Sequence, residues 1–391
     1  MGLDVQRARR DTPGCRQVAH LNNAGAALPP AVVTDAVIAH LRREAEIGGY
    51  EAETAAAGAV ERTYAALGEL IGAEPDEIAL TENATRAWDM AFYAMSFRPG
   101  DRILTGRCEY ASNVIAFLQV ASRTGARVEV VDDDEYGQIS LADLRRRTGP
   151  DVALIALTHV PTQGGLVNPA AQVGAVAREA GVPYLLDACQ SVGQLPVDVR
   201  ELGCDILAAP GRKFLRGPRG TGFLYISSRL AERLEPPFLD LRAATWNAPD
   251  GYTVRPGARR FESWEGNVAG RIGLGVAVDY AMAWGLDAIE QRVASLAETL
   301  RGMLAELPGV RVHDRGLRRC GIVTFSVAGT DAAAVQRRLA DARVNTSVSL
   351  VEYARNDLAA RGLPDLVRAS VHYYNTEEEL VRLVDALPRA T

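Results

Sequence analysis

The sequence predicts an α/β protein, a large unit built on a mostly parallel sheet followed by a smaller α+β unit. Three observations predict it. Short apolar runs alternate with helical patterns over the first two thirds of the chain, the signature of parallel strands joined by crossover helices. After about Trp264 the pattern changes to one long helical stretch and then to strands mixed with helices. Finally, 391 residues exceed what one core ordinarily organises, so two units are expected, at 16–269 and 270–391, with residues 1–15 packing on the second.

Helical periodicity marks 31–47 and 55–71 at the start of the large unit. Apolar runs at 78–81, 102–105, 128–131 and 152–157 read as strands, with helices from about 85, over 113–123 and over 170–179 between them. Residues 182–186 (Val-Pro-Tyr-Leu-Leu) form a continuous apolar run, as expected for a strand buried on both faces, and 205–209 form another. Beyond them come a helical stretch over 268–307, strands at 310–313 and 321–326, a helix over 331–341, and a final strand and helix. No internal repeat or low-complexity segment is visible.

Composition narrows the function classes. A formal net charge of -6 argues against a nucleic-acid or acidic-membrane partner. No apolar run reads as a membrane span, and the first ten residues lack the apolar core of a signal peptide, so a cytoplasmic location is expected. Five scattered cysteines, Cys15, Cys108, Cys189, Cys204 and Cys320, show no paired metal spacing and read as reduced, mostly structural thiols. The acidic turn at 132–137 reads as a solvated loop, and no metal site is expected.

The chemistry concentrates in two stretches. The run 182–186 ends in Asp187-Ala-Cys-Gln190, and 205–209 leads to Pro210-Gly-Arg212-Lys213, followed by a glycine-rich turn at 217–222. An Asp at a strand end is ordinarily a helix cap, and a single lysine is ordinarily a surface charge. Paired at the carboxyl ends of two buried strands, where open α/β sheets place their ligands, they supply what pyridoxal phosphate (PLP) chemistry needs. The lysine can form a Schiff base with the cofactor aldehyde, and the carboxylate can hold the pyridine nitrogen protonated.

On these residues the chain resembles the class V aminotransferase family of fold-type I PLP enzymes, which includes cysteine desulfurases, isopenicillin N epimerase and the ergothioneine carbon–sulfur lyase, over about 21–387. The resemblance implies a large domain with a mostly parallel seven-stranded sheet, a smaller C-terminal domain, and a homodimer with active sites at the subunit interface. It implies that Lys213 is the Schiff-base lysine, that Asp187 pairs with the ring nitrogen, and that Gln190 donates to the ring hydroxyl oxygen. The turn Asn83-Ala84-Thr85 matches the family's phosphate-binding turn, where a strand enters a helix whose first amides favour an anion. Tyr110 matches the aromatic residue that covers the ring. Thr162, in the loop that follows His159, is expected near the substrate carboxylate or the ring oxygen, while His159 itself reads as a core histidine. Arg212 is expected to contact the phosphate, and Arg368, in Arg-Ala-Ser, to bind the substrate α-carboxylate through its planar fork. Asn23 and Tyr50 match segments on the substrate side.

Departures from the family pattern bear on the reaction. Desulfurases carry a nucleophilic Cys on a mobile loop ahead of the final Arg strand, whereas 344–355 has none, and no cysteine follows Cys320. Where desulfurases often reach a Thr to the other subunit's phosphate, this chain has Glu265. The expectation is therefore an enzyme acting on an amino-acid-derived substrate through a quinonoid. It is expected to be a carbon–sulfur β-lyase on an S-substituted cysteine conjugate in specialised biosynthesis, with desulfurase activity set aside. The alternatives are an aminotransferase, an epimerase, a PLP-dependent decarboxylation with oxidative deamination, or a silent PLP-binding scaffold.

Overall fold

The computed structural model describes residues 3–388, so residues 1–2 of the N-terminal segment and 389–391 at the end of the second expected unit lie outside the described residues. In chain order its strands are β1 (Ala19–His20), β2 (Ile78–Thr81), β3 (Arg102–Thr105), β4 (Arg127–Val130), β5 (Val152–Thr158), β6 (Tyr184–Asp187), β7 (Ile206–Pro210) and β8 (Gly222–Ile226). There follow β9 (Ala244–Ala248), β10 (Gly251–Val254), β11 (Val310–Val312), β12 (Ile322–Val327), β13 (Val344–Asn345), β14 (Ser347–Ser349) and β15 (Leu366–Ser370).

The large sheet has seven strands in the order β2-β8-β7-β6-β5-β3-β4. Only β8 runs antiparallel to its neighbours. Its central strands are apolar on both faces because helices cover both. Alternate residues of β5–β7 divide between two cores, as the two-residue period of a strand requires. Ile155, Tyr184, Leu186 and Leu207 pack with residues of the helices Ala57–Ile71 and Ala170–Ala180. Leu154, Ala156, Leu185 and Ile206 pack with Trp88, Phe92 and Phe117 of the helices Ala84–Phe92 and Ala111–Thr124. The carboxyl ends of the parallel strands thus leave Thr158, Asp187 and Pro210 along one edge of the sheet.

The second sheet is antiparallel, β11-β12-β15-β14. Its core takes Val323, Phe325, Val367 and Ala369 from the strands, Leu296 and Leu300 from the helix Leu286–Ala305, and Ala8 and Leu21 from the N-terminal segment. Arg368 of β15 lies opposite Thr324 on one side and Ser347 on the other.

The expected long helix over 268–307 is two helices, Val268–Trp284 and Leu286–Ala305, bent by 79° at Gly285, whose φ of 82° is left-handed and inexpensive only for glycine. Leu274 and Val278 of the first helix belong to the core of the large sheet, and Ala281 to the second core, so the change of core falls inside this helix. The expected helix over 55–71 begins at Ala57, behind a separate helix Gly49–Ala55. The segment Asn23–Ile47 is apolar and long enough by composition to cross a bilayer, contrary to the sequence reading. It is broken at Ala27–Pro30, and its second helix, Ala31–Ile47, packs on Val268–Trp284.

Candidate active site

A cavity of about 380 Å³ opens at the carboxyl edge of the large sheet. It brings together Asn83, Ala84 and Thr85 from the start of the helix Ala84–Phe92, Tyr110, Thr162, Asp187 and Gln190 at the end of β6, and Arg212 and Lys213 after β7. Residues drawn from five separate places in the sequence therefore share one wall.

Asp187 is buried, and both carboxylate oxygens are held. Oδ1 accepts from the Cys189 amide at 2.9 Å and Oδ2 from Asn113 Nδ2 at 3.0 Å. The Lys213 ammonium is lowered from its ordinary range by burial, and Arg212 and Arg368 add to that, whereas Cys189 and Asp187 act the other way. Its loop is fixed from behind. His372 Nε2 donates to the Phe214 carbonyl at 2.8 Å, and its Nδ1 accepts from the Tyr373 amide at 3.0 Å, so the imidazole is neutral. Burial holds it well below the usual histidine range. Arg216, with left-handed φ, is buried among Tyr280, Tyr373 and Tyr374 and donates to Tyr373 Oη, Thr12 Oγ1 and the Leu28 carbonyl.

At the other end of the cavity Asn83 caps its helix by accepting from the Arg86 amide, while the amides of Ala84 and Thr85 have no acceptor inside the helix. Gly222 makes room for this turn, since a Cβ there would stand 2.6 Å from the Asn83 carbonyl carbon. Arg212 leans on the Gly25 carbonyl. Tyr110, partly exposed, precedes the helix Ala111–Thr124.

Arg368 is buried, and its guanidinium is aimed by neighbours. Nη1 donates to the Thr162 carbonyl at 3.0 Å and to Thr162 Oγ1 at 2.5 Å, and Nη2 to Asn22 Oδ1 at 3.3 Å. Burial, with Arg212 nearby, brings it down to about 10, so it stays charged at neutral pH. Gln190 Nε2 donates to Thr162 Oγ1 at 2.9 Å and to the Ala24 carbonyl at 3.1 Å. Two buried atoms beside the cavity, Gln190 Oε1 and Arg368 Nε, have no partner. Buried polar groups are ordinarily satisfied, so a polar ligand is expected there. Orphaned donors and acceptors, free helix-start amides and a half-buried lysine in the same cavity as a fixed carboxylate together fit PLP.

Two expected substrate-side residues lie elsewhere. Asn23 is fully buried and its side chain is spent on the fold: Nδ2 donates to the Ser370 carbonyl at 2.7 Å, and Oδ1 accepts from Tyr374 Oη. Its neighbour Asn22 is the residue that touches Arg368. Tyr50 is exposed on the helix Gly49–Ala55, in a separate hollow with Glu44, Glu53 and Glu265. The sequence reading missed Thr158, Cys189 and the pair Glu109 and Asn113 as parts of the site. Glu109 and Asn113 stand four residues apart across a helix start, a spacing that could have marked them.

A family model, Aminotransferase class-V, matches residues 19–383. A probable cysteine desulfurase of Methanothermobacter thermautotrophicus is 30% identical over 391 residues, covering 98% of each chain. The apo structure of a cysteine desulfurase from Thermococcus onnurineus NA1 superposes with a TM-score of 0.90 at 27% identity, over 98% of this chain and 97% of that one. A lysine-to-alanine variant of C-DES, with glycine covalently linked to its PLP cofactor, superposes with a TM-score of 0.85 at 26% identity, over 96% of this chain and 99% of that one. The expectation of a β-lyase on cysteine conjugates with desulfurase activity set aside is overturned, because the relative from Methanothermobacter thermautotrophicus is named a probable cysteine desulfurase and the structure from Thermococcus onnurineus NA1 a cysteine desulfurase. The silent scaffold falls with it. The chain belongs to the class-V aminotransferase family and is a PLP-dependent enzyme of fold type I.

Proposed function

We propose that this enzyme removes the sulfur of cysteine, the desulfurase reaction. The observation that carries the reading is the fixed Asp187 and Lys213 lining one cavity, with Arg368 held beside it by Thr162, which also lines it, and by Asn22. The similarity to cysteine desulfurases supports it. Bound PLP supplies the electron sink that lets bonds at the α-carbon and β-carbon of an amino acid break.

The chain's own residues do the rest. The free amides of Ala84 and Thr85, with Arg212, hold the phosphate, and Asp187 holds the ring nitrogen protonated. Arg368 takes the substrate carboxylate with its planar fork, which fixes the α-carbon toward Lys213. Lys213, its ammonium weakened by burial, carries protons to and from that carbon. Tyr110 screens the open side.

Sulfur needs an acceptor. Segment 344–361 has no cysteine, and the thiol in the cavity wall, Cys189, is pushed up by burial and so is a poor nucleophile. The reading therefore assigns a small soluble thiol. Its thiolate attacks the substrate Sγ and becomes a persulfide, the Cβ–Sγ electron pair passes to the carbon side, and Cβ takes a proton to give alanine. A homodimer is part of the same proposal. Trp246 and Tyr252 face each other across the β9–β10 hairpin and are both exposed, which supplies an apolar surface.

The test is to give holoenzyme L-cysteine with dithiothreitol as acceptor and to quantify alanine, sulfide and pyruvate. Alanine and sulfide in equal amounts are expected. Pyruvate in place of alanine, or no product from cysteine, overturns the reading.

A further inference from the structure

Glu109 is a buried carboxylate that the chemistry so far leaves unused. Five donors converge on it: Asn113 Nδ2 at 2.8 Å, the Tyr110 amide at 3.0 Å, the Thr158 amide at 3.1 Å, Thr105 Oγ1 at 2.9 Å, and Thr158 Oγ1. A side chain that collects this many donors is not filling space. Burial, with the charge of Asp187 beside it, pushes the Glu109 carboxyl above the usual carboxylate range, and the bonds from Thr158, Asn113 and the Tyr110 amide act the other way.

The two bonds from Asn113 carry the argument. One Nδ2 atom donates to Glu109 Oε1 and to Asp187 Oδ2, so a single amide bridges two carboxylates on different elements. Asn113 is buried on the first turn of the helix Ala111–Thr124, and an amide with two hydrogens is the side chain that can hold two acceptors at once. Glu109 also accepts from the backbone of Tyr110, whose amide reaches Thr158 Oγ1 as well, at 3.3 Å.

We propose that Glu109 is a positioning residue which, through Asn113, sets the orientation of Asp187 toward the PLP ring nitrogen and, through the Tyr110 amide, sets where the Tyr110 ring stands over the cavity. The residue touches neither cofactor nor substrate. It aligns the two groups that address the cofactor ring and places a second carboxylate behind the first. That arrangement favours the protonated cofactor.

The charged and titratable groups around this cluster are Asp187 and Tyr184 from β6, Cys189 after it, Arg212 and Lys213 from the loop after β7, and, across a small void beside Glu109, Arg107, Cys108 and Asp133. Arg368 of β15 is near enough to Lys213 to bear on its charge. All are left in place by Glu109→Gln, which keeps the shape and removes the charge. The readout is the pH midpoint of the visible absorption band of the bound cofactor, with cofactor affinity and melting temperature measured in parallel.

Glu109→Gln is expected to lower that midpoint by about one pH unit and to weaken cofactor binding about tenfold, since a buried carboxylate coupled to Asp187 through Asn113 acts through little solvent. Asn113→Ser, which cuts only the bridge, should shift the midpoint in the same direction. Should Glu109→Gln fail to fold, Asn113→Ser decides alone. A lower melting temperature with midpoint and affinity unchanged in the folded variants would overturn the proposal and leave Glu109 as a strut. None of these readouts requires a substrate, so the result stands apart from whether cysteine is the one used.

Discussion

Arg368 shows how a single side chain is prepared for its work. Burial costs a guanidinium its hydration, and the chain offsets this with the Thr162 carbonyl and hydroxyl and with Asn22 while leaving Nε unpaired. An ammonium at the same site would keep the charge but not the fork. Arg368→Lys should therefore lower kcat/KM for cysteine by roughly ten- to a hundredfold, or about 1.5–3 kcal/mol, with most of the loss in KM and the cofactor retained. Steady-state kinetics beside the cofactor spectrum checks it, and an unchanged KM would remove Arg368 from carboxylate binding. Lys213→Ala should cost about a thousandfold or more in turnover while the protein still takes up cofactor reversibly, which dialysis against buffer without PLP would reveal. At this scale the sequence was informative wherever a residue's type suits it to one task, as with Lys213, Asp187 and Arg368. It was uninformative at Asn22 and Asn23, two identical residues side by side. The helix start at Asn23 turns one amide into the fold and leaves the other beside Arg368.

Elements bring the site together through close backbone approach. Gly193, in the turn after β6, has a φ of 92°, and a Cβ on it would stand 2.4 Å from the Phe214 carbonyl carbon, one residue past Lys213. The turn that follows Asp187 is thus seated directly on the loop that carries the lysine. Gly193→Ala should strain both at once and destabilise the protein by about 2–4 kcal/mol, with loss of cofactor binding, because neither the left-handed backbone nor a backbone neighbour can yield cheaply. Thermal melting with and without PLP tests this, and a variant that melts normally and keeps its cofactor would show that the two loops move independently. The buried strands β5–β7 were legible because runs enclosed on both faces are apolar throughout. The hairpin β9–β10 was not, since Thr245, Trp246, Asn247, Tyr252 and Thr253 are exposed and leave no alternation to read. The break at Gly285 escaped for a related reason. The apolar pattern continues across it, and only the backbone angle marks the corner.

Across the whole molecule, buried histidines must remain uncharged, one of them tying the two sheets, and this gives stability a pH dependence. His372, just past the end of β15, donates to Phe214 in the lysine loop, and burial holds it well below the usual histidine range. His159, just past the end of β5, is likewise buried and lowered to about 4. In the unfolded chain both would titrate near 6.5. Between about pH 6.5 and 4 the unfolded state therefore binds protons that the folded state refuses, and stability falls as pH falls through that window, by about 1.4 kcal/mol per pH unit for each histidine. Carboxylates raised in the fold act in the opposite direction. Glu109 and Asp133, the latter raised to about 6, bind protons in the native state before the unfolded one does, and they reduce the slope without reversing its origin. The denaturation midpoint in urea should thus drop between pH 7 and pH 5. His372→Gln, which can still donate to Phe214 but cannot be protonated, should flatten the dependence by about one proton while lowering stability at pH 7. A variant whose pH profile stays parallel to that of the unmodified protein would show that His372 titrates alike in both states, and the coupling between the sheet that holds Arg368 and the loop that holds Lys213 would then be insensitive to acid.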